Sequence, residues 1–440
     1  MVNSNPDRQL TLLPASALGL TTLAFIVTKT GRDALFFQGS GGLQQLPLIY
    51  INIGGASLPL ALLFVKTMRI WGARPARIGL FLFAAAVMAA AAPFLQPGDN
   101  LLLLALFMFI PAIFGLLFAS LWLLASDLFE KTAKSTAARA FSRIGATTLA
   151  GGMMGGLIAK GLAPVLDPKW LIFFGAVILL GVAALALRIH QRFPSNIIPS
   201  GDKKGHSGFL KPLRNKYALT LLFISMSGAL AGLLIDFQFY AAAAGAKANA
   251  GFFANFYILL NFSSLLLQLF ATPKIQDRVG LRGGLMVLPL ALIGGATFAT
   301  AAATALSRSV LRVTEGGLRS SVHRSIWEQA FIPVESGDRS AVKIAIDGIA
   351  ARVAEATGAV ALLVWLKQIA PDGVLPMPLD TRWIAWLTLA IVILWLIITR
   401  KLRIQTQRER LTRPGAAPDI DCERFPDQCP CTTELGKGIA

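Results

Sequence analysis

The sequence predicts an all-α polytopic membrane protein of about twelve transmembrane helices, arranged as two pseudo-symmetric six-helix bundles. Three observations carry that expectation. The 440 residues are 55% hydrophobic and 15% charged, with a mean hydropathy of +0.63, too little polar surface for a soluble chain of this length. Apolar runs of about 20 residues, long enough to cross a bilayer, recur between charged or Pro/Gly-rich breaks. Features of the first half of the chain return in the second half in the same order.

Taken in order, the first six spans begin near Leu12, Pro47, Ile78, Leu101, Phe141 and Trp170. A basic stretch containing Gly, Pro and Ser, "RIHQRFPSNIIPSGDKKGHSGFLKPLRNK" (188–216), then reads as a linker between bundles. Six more spans begin near Tyr217, Gly251, Gly283, Ser309, Ala341 and Arg382, the tenth and eleventh being the least apolar. The expected organisation is a bundle over 1–187, the linker at 188–216, a second bundle over 217–400 and a disordered tail at 401–440.

A formal charge of +18 would suggest nucleic acid in a soluble protein. Here the cations collect in alternate loops, as the positive-inside rule requires, so no nucleic-acid partner is implied. Lys66, Arg69, Arg74 and Arg77 follow the second span, and Lys131, Lys134, Arg139 and Arg143 surround the start of the fifth. The linker and the opening of the tail add more, whereas "QGSGGLQQ" (38–45) and "QPGDN" (96–100) are nearly uncharged. An even number of spans then puts both termini in the cytoplasm. No small-residue cleavage site ends the first apolar run, which argues against a signal peptide. Cys422, Cys429 and Cys431 all lie in the tail, should be reduced there, and match no zinc spacing, so no metal or other cofactor is expected.

The internal repeat is legible in three places. Lys66, Gly72 and Arg74 share a register with Lys274, Gly280 and Arg282. "RDALF" (32–36) and "DFQFY" (236–240) each place a Phe three residues after an Asp, and Tyr50 and Tyr257 open the following spans. The loop "DRVGLR" (277–282) marks Asp277, Arg278, Gly280 and Arg282 as candidate gate residues. The first-half copy has Arg69 where the acid would stand.

The tenth span is the most charged. At about 100° per residue Arg308, Arg312, Glu315, Arg319 and His323 share one face, and Leu311, Val313, Leu318, Val322 and Ile326 cover much of the rest. That pattern suits a helix showing its charges to an aqueous cavity. A helix lying on the membrane surface would share it, but would leave an odd number of crossings. Charges cannot face lipid cheaply, so they turn inward, pair or stay hydrated. Lys29, Arg32, Arg312, Arg319, Arg324, Lys343 and Arg352 outnumber Asp33, Asp236, Glu315, Asp347 and Glu355 in the polar spans. Surplus guanidinium favours a small anionic solute. Lys29, Arg32, Arg312, Arg319 and Arg352 are the candidate binding residues. Asp33, Asp236, Glu315, Asp347, Glu355 and His323 are candidate coupling or ion-pair groups. Helical spacing equally allows Arg312, Arg319 and Arg352 to pair internally with Glu315 and Glu355. The glycines of "GATTLAGGMMGG" (145–156) suit close helix packing. No phosphate-binding loop, metal-binding His pair or nucleophile–base set is present, which disfavours an enzyme.

Several stretches resemble the ATP/ADP translocase (nucleotide transporter) branch of the major facilitator superfamily. "LWLLASDLFEKTAKSTAARAFSRIGATTLAGGMMGG" (121–156), "DFQFYAAAA" (236–244) and "FFANFYILLNFSSLLLQLF" (252–270) are similar to its fourth, fifth, seventh and eighth helices. "LRSSVHRSIWEQAFIPVESGDRSAVKIAIDGIAARVAEATG" (318–358) is similar to its tenth and eleventh, at Arg319, Arg324, Glu328, Pro333, Arg339, Lys343, Asp347, Gly348, Arg352 and Gly358. The loop at 277–282 resembles the superfamily's Asp-Arg-x-Gly-x-Arg motif, which helps lock the cytoplasmic gate. The resemblance implies a monomeric multi-pass protein of a bacterial inner membrane that moves anionic nucleotides by alternating access. In that branch a basic-Asp motif ends the first helix, with a Lys at the basic place. "GRDALF" puts Arg32 and Asp33 there, and the missing Lys argues against ATP/ADP itself as the solute. A scaffold or sensor that keeps the fold without transporting is the alternative reading.

Overall fold

Twelve helices, one for each expected span, make up the described part of the chain. The structure is a computed structural model that describes residues 6–37, 42–97, 101–129, 134–192, 216–302, 304–331, 334, 342, 344–369 and 379–402. The helices of the first half are α1 (Pro6–Phe37), α2 (Gly42–Trp71), α3 (Ala73–Ala91), α4 (Leu101–Phe129), α5 (Lys134–Leu162) and α6 (Pro168–Arg192). Those of the second half begin with α7 (Lys216–Gly245), α8 (Ala250–Ile275) and α9 (Arg278–Ala301). In α10, Ala305–Leu318 continues through a π-helical turn, Arg319–His323, into Arg324–Gln329. A longer π-helical stretch, Ile344–Ala350, opens α11 before Ala351–Ile369, and α12 is Arg382–Arg400. The span start expected at Ala341, most of the linker and the cysteine-bearing tail lie outside the described residues.

Local chemistry explains several helix starts. The Asn249 side chain accepts from the Phe252 amide at 3.0 Å and begins α8. Thr304 and Ser307 form a reciprocal capping box at the start of α10. Among the described residues, eight helices hold a stretch long and apolar enough to cross a membrane: α1, α3, α4, α6, α7, α8, α9 and α12. Large apolar side chains such as Leu63, Phe83, Phe270, Val360, Trp386 and Leu394 are exposed on the outside. So much bare apolar surface belongs in lipid.

The contacts between halves come in matched pairs. Within the first half α1 packs on α4, α5 and α6; within the second, α12 packs on α7 and α9. Across the halves α5 meets α8 and α2 meets α11, while α1 touches α8 and α2 touches α7. Exchanging the halves turns α2–α11 into α8–α5 and α1–α8 into α7–α2, as a duplicated architecture requires. Gly72 and Gly280, which share a register in the sequence, are also the two glycines with positive φ among the described residues, at 87° and 63°. Gly280 kinks the first turn of α9 inside the expected gate loop. There the Arg282 guanidinium donates to the Arg400 carbonyl, capping the end of α12. The Arg278 side chain is exposed, and that of Asp277 lies outside the described residues.

The glycine cluster of α5 serves two interfaces. A Cβ on Gly151 would stand 2.1 Å from the Gly19 carbonyl oxygen, and one on Gly155 2.7 Å from that of Leu23, so this face meets α1. A Cβ on Gly152 or Gly156 would strike Asn261 or Ile258 on α8, in the other half. Gly151→Ala should therefore destabilise the protein by about 1–3 kcal/mol, because backbone cannot yield as a side chain does. Gly145→Ala, on the same helix with open space around it, should be silent in the same thermal unfolding of detergent-purified protein.

Candidate functional site

The polar side chains buried between the halves gather at the ends of α1 and α7. Asp33 is fully buried and Arg32 is 2% exposed. Arg32 donates from Nε (2.8 Å) and Nη2 (2.5 Å) to Asp33 Oδ1, and its guanidinium lies 3.9 Å from the centre of the Phe107 ring on α4. The other carboxylate oxygen, Oδ2, faces the second half, where Tyr257 of α8 donates at 2.5 Å and Tyr240 of α7 at 3.1 Å. Lys29, one turn before Asp33, stands 3.6 Å from Oδ2 and donates to the Tyr240 hydroxyl at 2.9 Å. Its ammonium also sits 4.6 Å from the centre of the Tyr257 ring. Phe37 stacks on Tyr240 just beyond. One carboxylate thus ties together three helices, two of them from the opposite half.

A second group lies beside it on α7 and α10. Arg312 Nε is 2.5 Å from Asp236 Oδ1, a contact of charges that is not aligned as a hydrogen bond, and Arg312 Nη1 donates to Glu315. Arg319 donates from Nε to Glu315 and from Nη2 to the Gly228 carbonyl at 2.7 Å. The spacing of α10 places Arg312 and Arg319 on either side of Glu315. The two ends of this group differ in access. The Glu315 side chain is 2% exposed, whereas that of Arg319 is 36% exposed and that of Asp236 27%. Arg319 is therefore the most exposed cation of this set.

Four cations (Lys29, Arg32, Arg312, Arg319) face three carboxylates (Asp33, Asp236, Glu315), leaving one positive charge in excess. The excess is local. Lys29 and Arg32 share Asp33, while Arg312 and Arg319 divide Asp236 and Glu315 between them.

Other expected site residues stand apart from this cluster. Arg352 pairs with Glu355 at 2.7 Å on an exposed part of α11. Asp347, in the π-helical stretch of α11, accepts from Trp327 Nε1 at 2.9 Å and so braces α10. His323 is 8% exposed, stacked on Trp327 and edge-on to Trp395. The side chain of Lys343 lies outside the described residues. Arg324 and Glu328 form an exposed pair further along α10.

Sequence reasoning did not assign Tyr240, Tyr257 or Phe107 to the site. The chain has only four tyrosines, so two of them on one carboxylate was a signal available in the composition. Arg77, expected as a loop cation, and Arg308, expected on the charged face of the tenth span, are both buried, each within one half. Arg77 bonds to His190 (2.6 Å) and to the Ser120 carbonyl (3.1 Å). Arg308 donates to Gln238 (2.9 Å), which reaches Thr388 in turn.

No protein-family model matches the sequence, and no curated protein does. Solved structures do match in fold. A mutant of the nucleoside transporter NupG is similar with a TM-score of 0.64 at 14% identity, over 91% of this chain and 100% of that one. An auto-inhibited POT family peptide transporter gives 0.63 at 14%, over 91% and 98%. A bacterial homologue of the iron transporter ferroportin, in an inward-facing state, gives 0.57 at 16%, over 89% and 98%. At these identities the likeness is one of fold: the chain is a polytopic helical membrane protein of major facilitator-like architecture.

Removing the shared carboxylate should be costly where removing an exposed pair is not. Asp33→Asn leaves two cations without their anion and should lower stability by about 3–5 kcal/mol. Arg352→Gln should change it by less than about 1 kcal/mol. Thermal unfolding of the two variants beside the unaltered protein checks both.

Proposed function

We propose that the chain is a secondary transporter that carries a small organic anion between two lobes by alternating access. The observation that carries this reading is the unneutralised positive charge held between the halves. Charged groups there are expensive to keep in a membrane unless they serve a ligand or a switch. The fold shared with transporters of nucleosides and peptides supports it.

An anion entering between the lobes meets Arg319 first and then Arg312. Each already holds a carboxylate, so binding is an exchange of partners rather than the capture of a bare cation. The guanidiniums leave Asp236 and Glu315 and take two oxygens of the solute through paired hydrogen bonds. Lys29 supplies the remaining charge. Arg32, sealed against Phe107 and bound to Asp33 through Nε and Nη2, anchors that carboxylate instead of touching solute, and Arg352 stays at the periphery. Phosphorylated solutes, nucleotides among them, suit two arginines and a lysine. We place the protein as a monomer in a bacterial inner membrane with both termini in the cytoplasm, the side to which the basic loops belong.

Transport is tested in vesicles reconstituted with the purified chain and offered labelled nucleotides, sugar phosphates and dicarboxylates in turn. At least one anion should accumulate. Arg319→Gln should abolish that uptake while inserting normally, and Lys29→Gln should raise KM about tenfold or more, the loss of one charge-assisted contact of about 1.5–3 kcal/mol. No uptake of any anion in these vesicles would favour the scaffold reading.

A further inference from the structure

The duplication gives the Asp33 contact a twin. Asp33 and Asp236 stand in the C-terminal parts of α1 and α7, Asp236 one helical turn earlier in the repeat register, and Tyr50 and Tyr257 occupy matching places on α2 and α8. The bond from Tyr257 to Asp33 crosses between halves along α1 and α8. Its counterpart would run from Tyr50 to Asp236 along α2 and α7, which are themselves in contact. That bond is not made. The Tyr50 hydroxyl is buried without a hydrogen-bond partner, and Asp236 Oδ1 likewise accepts none, being held beside Arg312 Nε. The Asp236 carboxylate lies within electrostatic reach of the Tyr50 hydroxyl. Buried phenols normally find an acceptor, so an idle one beside an engaged carboxylate marks a bond that belongs to another state.

We infer that Tyr50 is a positioning residue, the idle half of a paired latch that closes on Asp236 when Arg312 is drawn away. This rests on the reading of Arg312 as an anion-binding residue. One latch, Tyr257 on Asp33, holds this end of the molecule shut at rest. An anion that takes Arg312 frees Asp236, and Tyr50 then adds the second bond across the same end. The loaded protein is thereby doubly fastened on one side while its opposite side shuts around the solute. Coupling of this kind keeps an anion from meeting both sides of the membrane at once, and it ties closure to occupancy.

The test needs no ligand, because Arg312→Gln mimics the departure of Arg312. Spin labels on Asp167→Cys and Ala246→Cys report the separation of the halves at this end, in full-length protein whose Cys422, Cys429 and Cys431 are serine. The expected result is a shorter mean distance in Arg312→Gln, restored to the resting value by adding Tyr50→Phe. An unchanged or longer distance in Arg312→Gln, or one that stays short without the Tyr50 hydroxyl, overturns the latch. The resting protein supplies a second reading should Arg312→Gln fail to insert. There Tyr257→Phe should lengthen the distance and Tyr50→Phe should not, and equal lengthening by both overturns it. These distances are read without transport, so a Tyr50-dependent shift in protein that accumulates no anion would defeat the transport reading and leave the latch standing.

Discussion

A carboxylate with no access to water, placed where the two halves meet, is the constraint around which this molecule is arranged. Asp33 is fully buried, so its charge persists only because Arg32, Lys29, Tyr240 and Tyr257 surround it. Two of those partners arrive from the opposite half. Separating the lobes at this end therefore breaks hydrogen bonds to a charge, which are among the stronger polar contacts a protein makes. The remaining pair, Arg32 and Asp33, stays together on α1 and limits the penalty to the loss of the two phenols. The ionic core of the site does not cross the interface.

The apolar surroundings determine which cation is free to work. Phe107 covers the Arg32 guanidinium and Phe37 closes over Tyr240, so the first charged group is sealed at one end. Arg319 lies at the wetter edge of the second group and reaches the Gly228 carbonyl of α7. Backbone approaches closely there: a Cβ on Gly232 would stand 3.2 Å from Arg319 Nη2. The π-helical turn at Arg319–His323 shifts the phase of α10 at this point. Arg312 and Arg319 address Glu315 from both sides by ordinary helical spacing up to the start of the turn, while His323, within it, packs against the tryptophans. A regular helix would have kept His323 on the charged face that its spacing indicates.

That difference shows where the sequence is readable. Helix count, the duplicated order and the cationic character of the interior all follow from hydropathy and repeated residues, which are local or periodic properties. Gly72 and Gly280 were visible as a register match before either showed positive φ. The division of labour among the arginines was not visible. Nothing local in the sequence separates Arg32 from Arg312, and Phe107, some seventy positions away, covers the one while the other keeps some exposure. Arg352, like Arg319, has a glutamate at helical spacing, yet it stands exposed on α11 because α11 turns that face outward. Tyrosine roles were hidden for the same reason, since both phenols reach Asp33 from more than two hundred positions away.

The two kinds of interface in the molecule differ in how they hold. Within a half, buried polar groups lock helices together through several bonds, as Arg77 does with His190 and Ser120 and Arg308 with Gln238 and Thr388. Between halves, α5 offers Gly152 and Gly156 to α8, and the Asn261 and Ile258 side chains sit in the space those glycines leave. Small residues at such spacing let two helices approach closely in a membrane. That contact is steric and carries little direction of its own. The phenol bonds to Asp33 supply direction, because a hydrogen bond constrains angle as well as distance. Glycine on α5 and the carboxylate on α1 are therefore complementary: one sets how closely the halves approach, and the other sets their register.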